Sequence, residues 1–145
     1  MIIMVINGPN LNLLGIREPE IYGNKTFSDL EEMIESYCEE KGIEVVSLQS
    51  NSEGEIIDFI HHALNNYDGI VINPGAYTHY SNAIADAISS VMVPTVEVHI
   101  SDIDKREEFR RNSVTKASCV NQIKGHGFDG YIEAIEFLCE YCQKN

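Results

Sequence analysis

Short apolar runs alternate with longer stretches in which apolar residues recur every three or four positions. The runs Met1 to Ile6, Glu44 to Gln49, Ile70 to Asn73, Thr95 to Ile100 and Cys119 to Ile123 are rich in Val and Ile. Most are too apolar to have a solvent face, which predicts five strands of a parallel sheet. Between them, Ser28 to Lys41 presents Leu30, Met33, Ile34, Tyr37 and Cys38 on one helical face, opens with Ser28 and Glu31 at capping-box spacing and stops at Gly42. Ser52 and Glu55 repeat that spacing before a helix with Ile56, Ile57, Ile60, Ala63 and Leu64 inward. Two further helices are predicted, from about Ser81 to Val91 and from about Asp129 to Gln143.

This alternation predicts an α/β fold, a flavodoxin-like, doubly wound five-stranded parallel sheet with helices on both faces. With no internal repeat or linker, the 145 residues read as a single catalytic domain, 1–145. In such a sheet ligands bind beyond the carboxyl ends of the strands, near the switch in strand order.

Composition narrows the partners. The formal net charge of −13 argues against non-specific binding to nucleic acid or anionic membranes, so an anionic ligand needs a local cationic site. The first apolar run is too short to span a bilayer and no basic segment precedes it, and the four scattered cysteines suit thiols in a reducing compartment. The expected location is the cytoplasm.

Three polar clusters fall at the carboxyl edge of the predicted sheet: Asn7 to Gly15 with Arg17 and Tyr22, Asn73 to His79, and Glu97-Val98-His99-Ile100-Ser101. The four arginines, at positions 17, 106, 110 and 111, all lie after the first strand or beyond the fourth, which points to a small anionic substrate. In the fourth strand Glu97, His99 and Ser101 alternate with Val96, Val98 and Ile100, so the polar trio shares one face. A carboxylate two residues from an imidazole can fix its tautomer, raise its pKa and help it serve as a general acid.

Tyr22 shares a Gly- and Pro-punctuated loop with Arg17, long enough to act as a lid. A guanidinium at ~4 Å is worth about 4 kcal/mol at an effective dielectric of ~20. At ~1.4 kcal/mol per unit this lowers a phenol's pKa by about three, making Tyr22 a usable base once the lid closes. The adjacent His61 and His62 point apart on a helix, and Cys139 and Cys142 sit late in a terminal amphipathic helix, so surface and packing roles are expected there. The first loop lacks G-x-G-x-x-G and Asn73 stands where a receiver domain carries Asp, which weighs against dinucleotide binding and phosphotransfer.

Asn7-Gly8-Pro9-Asn10-Leu11-Asn12-Leu13-Leu14-Gly15, Arg17-Glu18-Pro19 and Tyr22-Gly23 resemble type II 3-dehydroquinate dehydratases. The likeness continues through Gln49-Ser50, Ser52-Glu53, Asn73-Pro74-Gly75-Ala76 with His79, Glu97 to Ser101, Arg106-Glu107, Phe109-Arg110 and the closing Gly125, Gly127, Gly130 and Tyr131. The resemblance implies anti elimination of water from 3-dehydroquinate to give 3-dehydroshikimate, with no cofactor, metal or Schiff base. It implies Tyr22 as the base, Arg17 as the group that keeps it ionised, Asn10 as holder of the water on the enolate oxygen, and His99, oriented by Glu97, as the acid. Substrate-binding positions carry over to Asn73, His79, Asp86, Ile100, Ser101 and Arg110. Asp86 is expected to act across a subunit contact in a dodecamer built from trimers.

The chain departs from the family pattern at Ala85, Asp102, Asn112 and 114–117. Asp102 stands where Asn is usual and adds negative charge near the expected carboxylate site. The competing reading is a non-catalytic small-anion binding or assembly module on the same fold, which would have no need of an activated phenol.

Overall fold

The computed structural model describes residues 1–16, 18–22 and 24–144, with the backbone alone at Tyr22. Five strands form one parallel sheet: β1 (Ile2–Asn7), β2 (Glu44–Gln49), β3 (Gly69–Asn73), β4 (Thr95–His99) and β5 (Asn121–Lys124). Their order is β2-β1-β3-β4-β5, with every pairing parallel. This is the predicted flavodoxin-like order, whose switch point lies between β1 and β3. The helices are α1 (Pro19–Tyr22), α2 (Phe27–Lys41), α3 (Glu53–Ala63), α4 (Asn82–Val91), α5 (Glu108–Arg111) and α6 (Asp129–Lys144).

The period-two alternation of the central strands sorts their side chains into two cores. Ile3, Val5, Val71, Val96 and Val98 pack with Leu30 and Ile34 of α2 and with Tyr131, Ile135 and Leu138 of α6. Met4, Ile6, Ile70 and Ile72 pack on the other face with Ile56 and Ile60 of α3 and Ile84 and Ile88 of α4. Complete burial of such aliphatic side chains contributes about 1.5–3 kcal/mol each, so these two layers hold the sheet in place beneath the loops. β3 and β4 are buried throughout, whereas the edge strands β2 and β5 are only half-covered. The expectation of strands without a solvent face therefore holds for the centre of the sheet, and the edges depart from it because each has a neighbour on one side only.

Most ends agree with the sequence reading to within a residue, but Leu64, expected inward, is exposed just past the end of α3, and two starts differ by two positions. α2 is capped by Thr26, not Ser28: the Thr26 hydroxyl accepts from Asp29 N–H at 3.1 Å, and Asp29 Oδ2 accepts from Thr26 N–H at 2.9 Å. The chain carries two overlapping capping-box patterns, and the earlier one prevails because it brings Phe27 into the helix, where it packs on the core. β5 begins at Asn121 because Lys116–Ser118 form a 3-10 turn whose C-cap is Cys119.

At the carboxyl edge the loops after β1 and β3 press together. Gly8 N–H donates to Asn73 O at 2.8 Å, and a Cβ on Gly8 would lie 2.5 Å from Pro74 O, so only glycine fits there. Gly75 answers from the other loop at φ +60°, with Pro9 O 3.1 Å from where its Cβ would be. These contacts set the floor on which the site is built.

Candidate active site

A narrow cleft of about 50 Å³ opens at this edge, lined by Asn10, Asn73, His79, His99, Ile100, Ser101, Arg106 and Arg110 together with backbone and apolar atoms of both loops. A larger open concavity of about 770 Å³ lies at the amino edge of the sheet, around Met1, Tyr37, Ile43 and Cys139, and contains none of these residues. Convergent polar chemistry, and not volume, marks the site.

β4 supplies the central pair. Glu97 is fully buried and His99 nearly so, with His99 Nε2 2.9 Å from Glu97 Oε2. An ionised carboxylate only accepts, so Nε2 donates and the other ring nitrogen, Nδ1, is free of Glu97. Three more donors reach the same carboxylate: Ser113 Oγ at 2.8 Å, Gln122 Nε2 at 2.7 Å and the Thr115 hydroxyl. Thr78 ties the hydroxyls together, 2.9 Å from Ser113 and 2.8 Å from Thr115. Burial pushes the Glu97 carboxyl up, but the hydrogen bonds from His99, Thr115 and Gln122 and the charge on His99 outweigh it and hold the group down at about 2. Glu97 is thus a permanent anion at neutral pH.

The other lining residues are fixed by their own partners. Asn10 takes a left-handed conformation, φ 70°, which asparagine tolerates, and its N–H donates to Asn51 Oδ1 at 3.0 Å. His79 donates from Nδ1 to Asn112 O at 2.7 Å. Burial lowers the His79 pKa, the nearby charges of His99 and Arg110 push the same way, and the Asn112 hydrogen bond and Glu97 only partly offset them. His79 is therefore neutral at pH 7, with Nε2 a potential acceptor. Ser101 Oγ accepts from Arg106 at 3.2 Å, and Arg110 Nε lies 3.0 Å from Glu107 Oε2. Arg106 also reaches Glu18 Oε2, at 3.5 Å, linking the carboxyl edge of β4 to the loop after β1.

The structure brings together eight of the residues singled out in the sequence: Asn10, Asn73, His79, Glu97, His99, Ile100, Ser101 and Arg110. Asp86 stands apart on the exposed face of α4 and does not line the cleft of this chain. Tyr22 ends α1, while its side chain and Arg17 lie outside the described residues. Sequence reasoning missed Thr78, Ser113, Thr115 and Gln122, because hydroxyl and amide residues in loops and an edge strand carry no periodic signal. Asp102, read as a charge near the carboxylate site, is engaged in capping, its Oδ1 accepting from Asp104 N–H at 3.0 Å.

The description "Dehydroquinase class II" belongs to the family model that matches residues 1–139. The chain belongs to this family. A 3-dehydroquinate dehydratase of Clostridium perfringens is 62% identical over 139 residues, 95% of this chain and 96% of that one. The type II dehydroquinase of Butyrivibrio crossotus superposes with a TM-score of 0.95 at 59% identity, covering 96% of this chain and 97% of its own. That of Propionibacterium acnes gives 0.92 at 45% identity, with 96% of each chain covered.

Proposed function

We propose that the chain, acting as one catalytic domain, eliminates water in the anti sense from 3-dehydroquinate to give 3-dehydroshikimate through an enolate. The observation that carries this reading is the buried Glu97–His99 pair opening into a cleft lined by Asn10, Asn73, His79, Ser101 and Arg110. In this reading Tyr22, kept ionised by Arg17, removes the proton beside the ketone. The enolate oxygen is stabilised by a water held by Asn10. His99, with Nε2 donating to Glu97, passes a proton from Nδ1 to the departing hydroxyl, and the fixed carboxylate stabilises the imidazolium from which that proton comes. Ser101 and the backbone at Ile100 bind the substrate carboxylate, Arg110 and Asn73 bind ring oxygens, and neutral His79 accepts from a substrate hydroxyl.

In the same reading Asp86, exposed on α4, serves a neighbouring subunit's site in a dodecamer built from trimers. The expectation of a cytoplasmic protein draws on its four free thiols. Mixing the purified full-length protein with 3-dehydroquinate and following the ultraviolet absorbance of the conjugated enone tests the reading directly. A rising signal is expected. Binding of the substrate without any enone would leave the anion-binding module in its place.

A further inference from the structure

Among the described residues Tyr131 is the largest fully buried side chain, and no step above uses it. It sits in the first turn of α6, directly after Gly130. A Cβ on Gly130 would lie 3.3 Å from Val98 Cγ1, so the start of the helix is drawn tightly onto β4. From there the phenol extends beneath the carboxyl ends of β1 and β3, 2.6 Å from Asn7 Oδ1 and 3.0 Å from Asn73 Nδ2.

With Asn7 Oδ1 and Asn73 Nδ2 facing the phenol, the hydrogen bonds run in one sense. Asn73 Nδ2 can only donate, so the phenol oxygen accepts from it, and the single phenolic proton goes to Asn7 Oδ1. At the other end of the same amide, Asn73 Oδ1 accepts from Gly75 N–H at 3.1 Å, a group that can only donate. Were the Asn73 amide turned over, two donors would face each other at Gly75 and two acceptors at Tyr131. Burial pushes the Tyr131 pKa up, against the smaller effect of the Asn73 hydrogen bond, so the proton that this chain of bonds needs stays in place.

Asn73 lines the cleft and its Nδ2 carries a second N–H. We propose that Tyr131 is a positioning residue, which through the chain Asn73 to Tyr131 to Asn7 locks the Asn73 amide so that an N–H, and not a carbonyl, meets an acceptor oxygen of the substrate. The proposal rests on the reading of the cleft as a 3-dehydroquinate site and adds how that site selects the orientation of its ligand. Tyr131 touches no reacting atom.

Steady-state kinetics of the full-length protein with 3-dehydroquinate test it. For Tyr131→Phe, KM is expected to rise about tenfold with kcat changed by less than about twofold, because the misplaced contact is made to substrate and transition state alike. In an Asn73→Ala background the same substitution is expected to raise KM no further. A merely structural role would lower the melting temperature and leave the KM of the folded variant untouched. A wild-type KM in folded Tyr131→Phe overturns the proposal, as does an equal fold-change with and without Asn73. If Tyr131→Phe does not fold, Asn7→Ser applies the same test from the far end. It frees the phenolic proton to turn toward Asn73, so the same KM rise is expected, and an unchanged KM refutes the idea. A wild-type protein that yields no enone removes the site reading and this proposal together, whereas a turning-over wild type with an unaltered variant removes the proposal alone.

Discussion

On the β4 side of the cleft, Glu97 is wholly buried and accepts from four side chains contributed by β4, β5 and the segment after α5. On the other side, the described residues between Asn10 and Tyr22 include a 3-10 turn and a one-turn helix, with Asn10 at φ 70° and Glu18 at φ 41°. Ile16 in that segment is 79% exposed. On the function proposed above, the difference follows from what each side would do. An acid that always protonates the same leaving group gains from being fixed permanently by the sheet. A base that is covered after the substrate enters is best carried on the exposed stretch from Ile16 onward, beyond Leu11 and Leu14, which the core holds. Arg106, in contact with both Ser101 and Glu18, joins the two sides.

The sharpest test of the contrast is to remove one chemical group from each side. Tyr22→Phe is expected to lower kcat by about 10⁴-fold while equilibrium binding of 3-dehydroquinate is largely retained, since the ring remains and only the base is lost. Retained turnover in the enone assay would rule out this base. His99→Ala is expected to cost about 10²- to 10³-fold in kcat, because an unassisted hydroxide is a poor leaving group. A wild-type rate there would assign the proton to another residue.

Next in size is the cost of the fixed side itself. The Glu97 pKa is held at about 2, below its ordinary value of 4.5, so the carboxylate contributes stability that is fully present above pH 4.5 and is lost as the pH falls through about 2. A shift of this size corresponds to a contribution on the order of 3 kcal/mol. Denaturant unfolding followed from pH 6 to pH 3 should show a fall in wild type that is much flatter in Glu97→Gln. Parallel curves would mean that the four donors do not act on an anion. The smallest expected effect is on the carboxylate seat. Asp102→Asn keeps a side-chain acceptor for Asp104 N–H and removes a negative charge, so KM is expected to fall by no more than about threefold. An unchanged or higher KM would show that the Asp102 charge is not felt by the substrate.

Much of this arrangement was legible along the chain. Val96, Val98 and Ile100 alternate with Glu97, His99 and Ser101, and the structure puts the first set in one core, while His99 and Ser101 line the cleft and Glu97 lies buried against His99. The arginine clustering was equally readable, with Arg106 and Arg110 both lining the site. The start of α2 was not, because Thr26 with Asp29 and Ser28 with Glu31 satisfy the same local rule and only the packing of Phe27 separates them. Nor were the donors around Glu97, since Ser113 and Thr115 reach it from a distant loop and Gln122 from an edge strand, with Thr78 joining the two hydroxyls from behind.

From the amino-acid sequence alone come the alternation of strand and helix, the edge of the sheet where chemistry gathers, and the residues that carry the family likeness, because periodicity and turn residues act over a few neighbouring positions. The tertiary structure alone decides which hydroxyls surround Glu97 and which phenol lies beneath Asn73. Those contacts join residues up to 124 positions apart, and hydrogen bonds at that separation exist only once strand register and helix docking have placed both partners to within a fraction of an ångström.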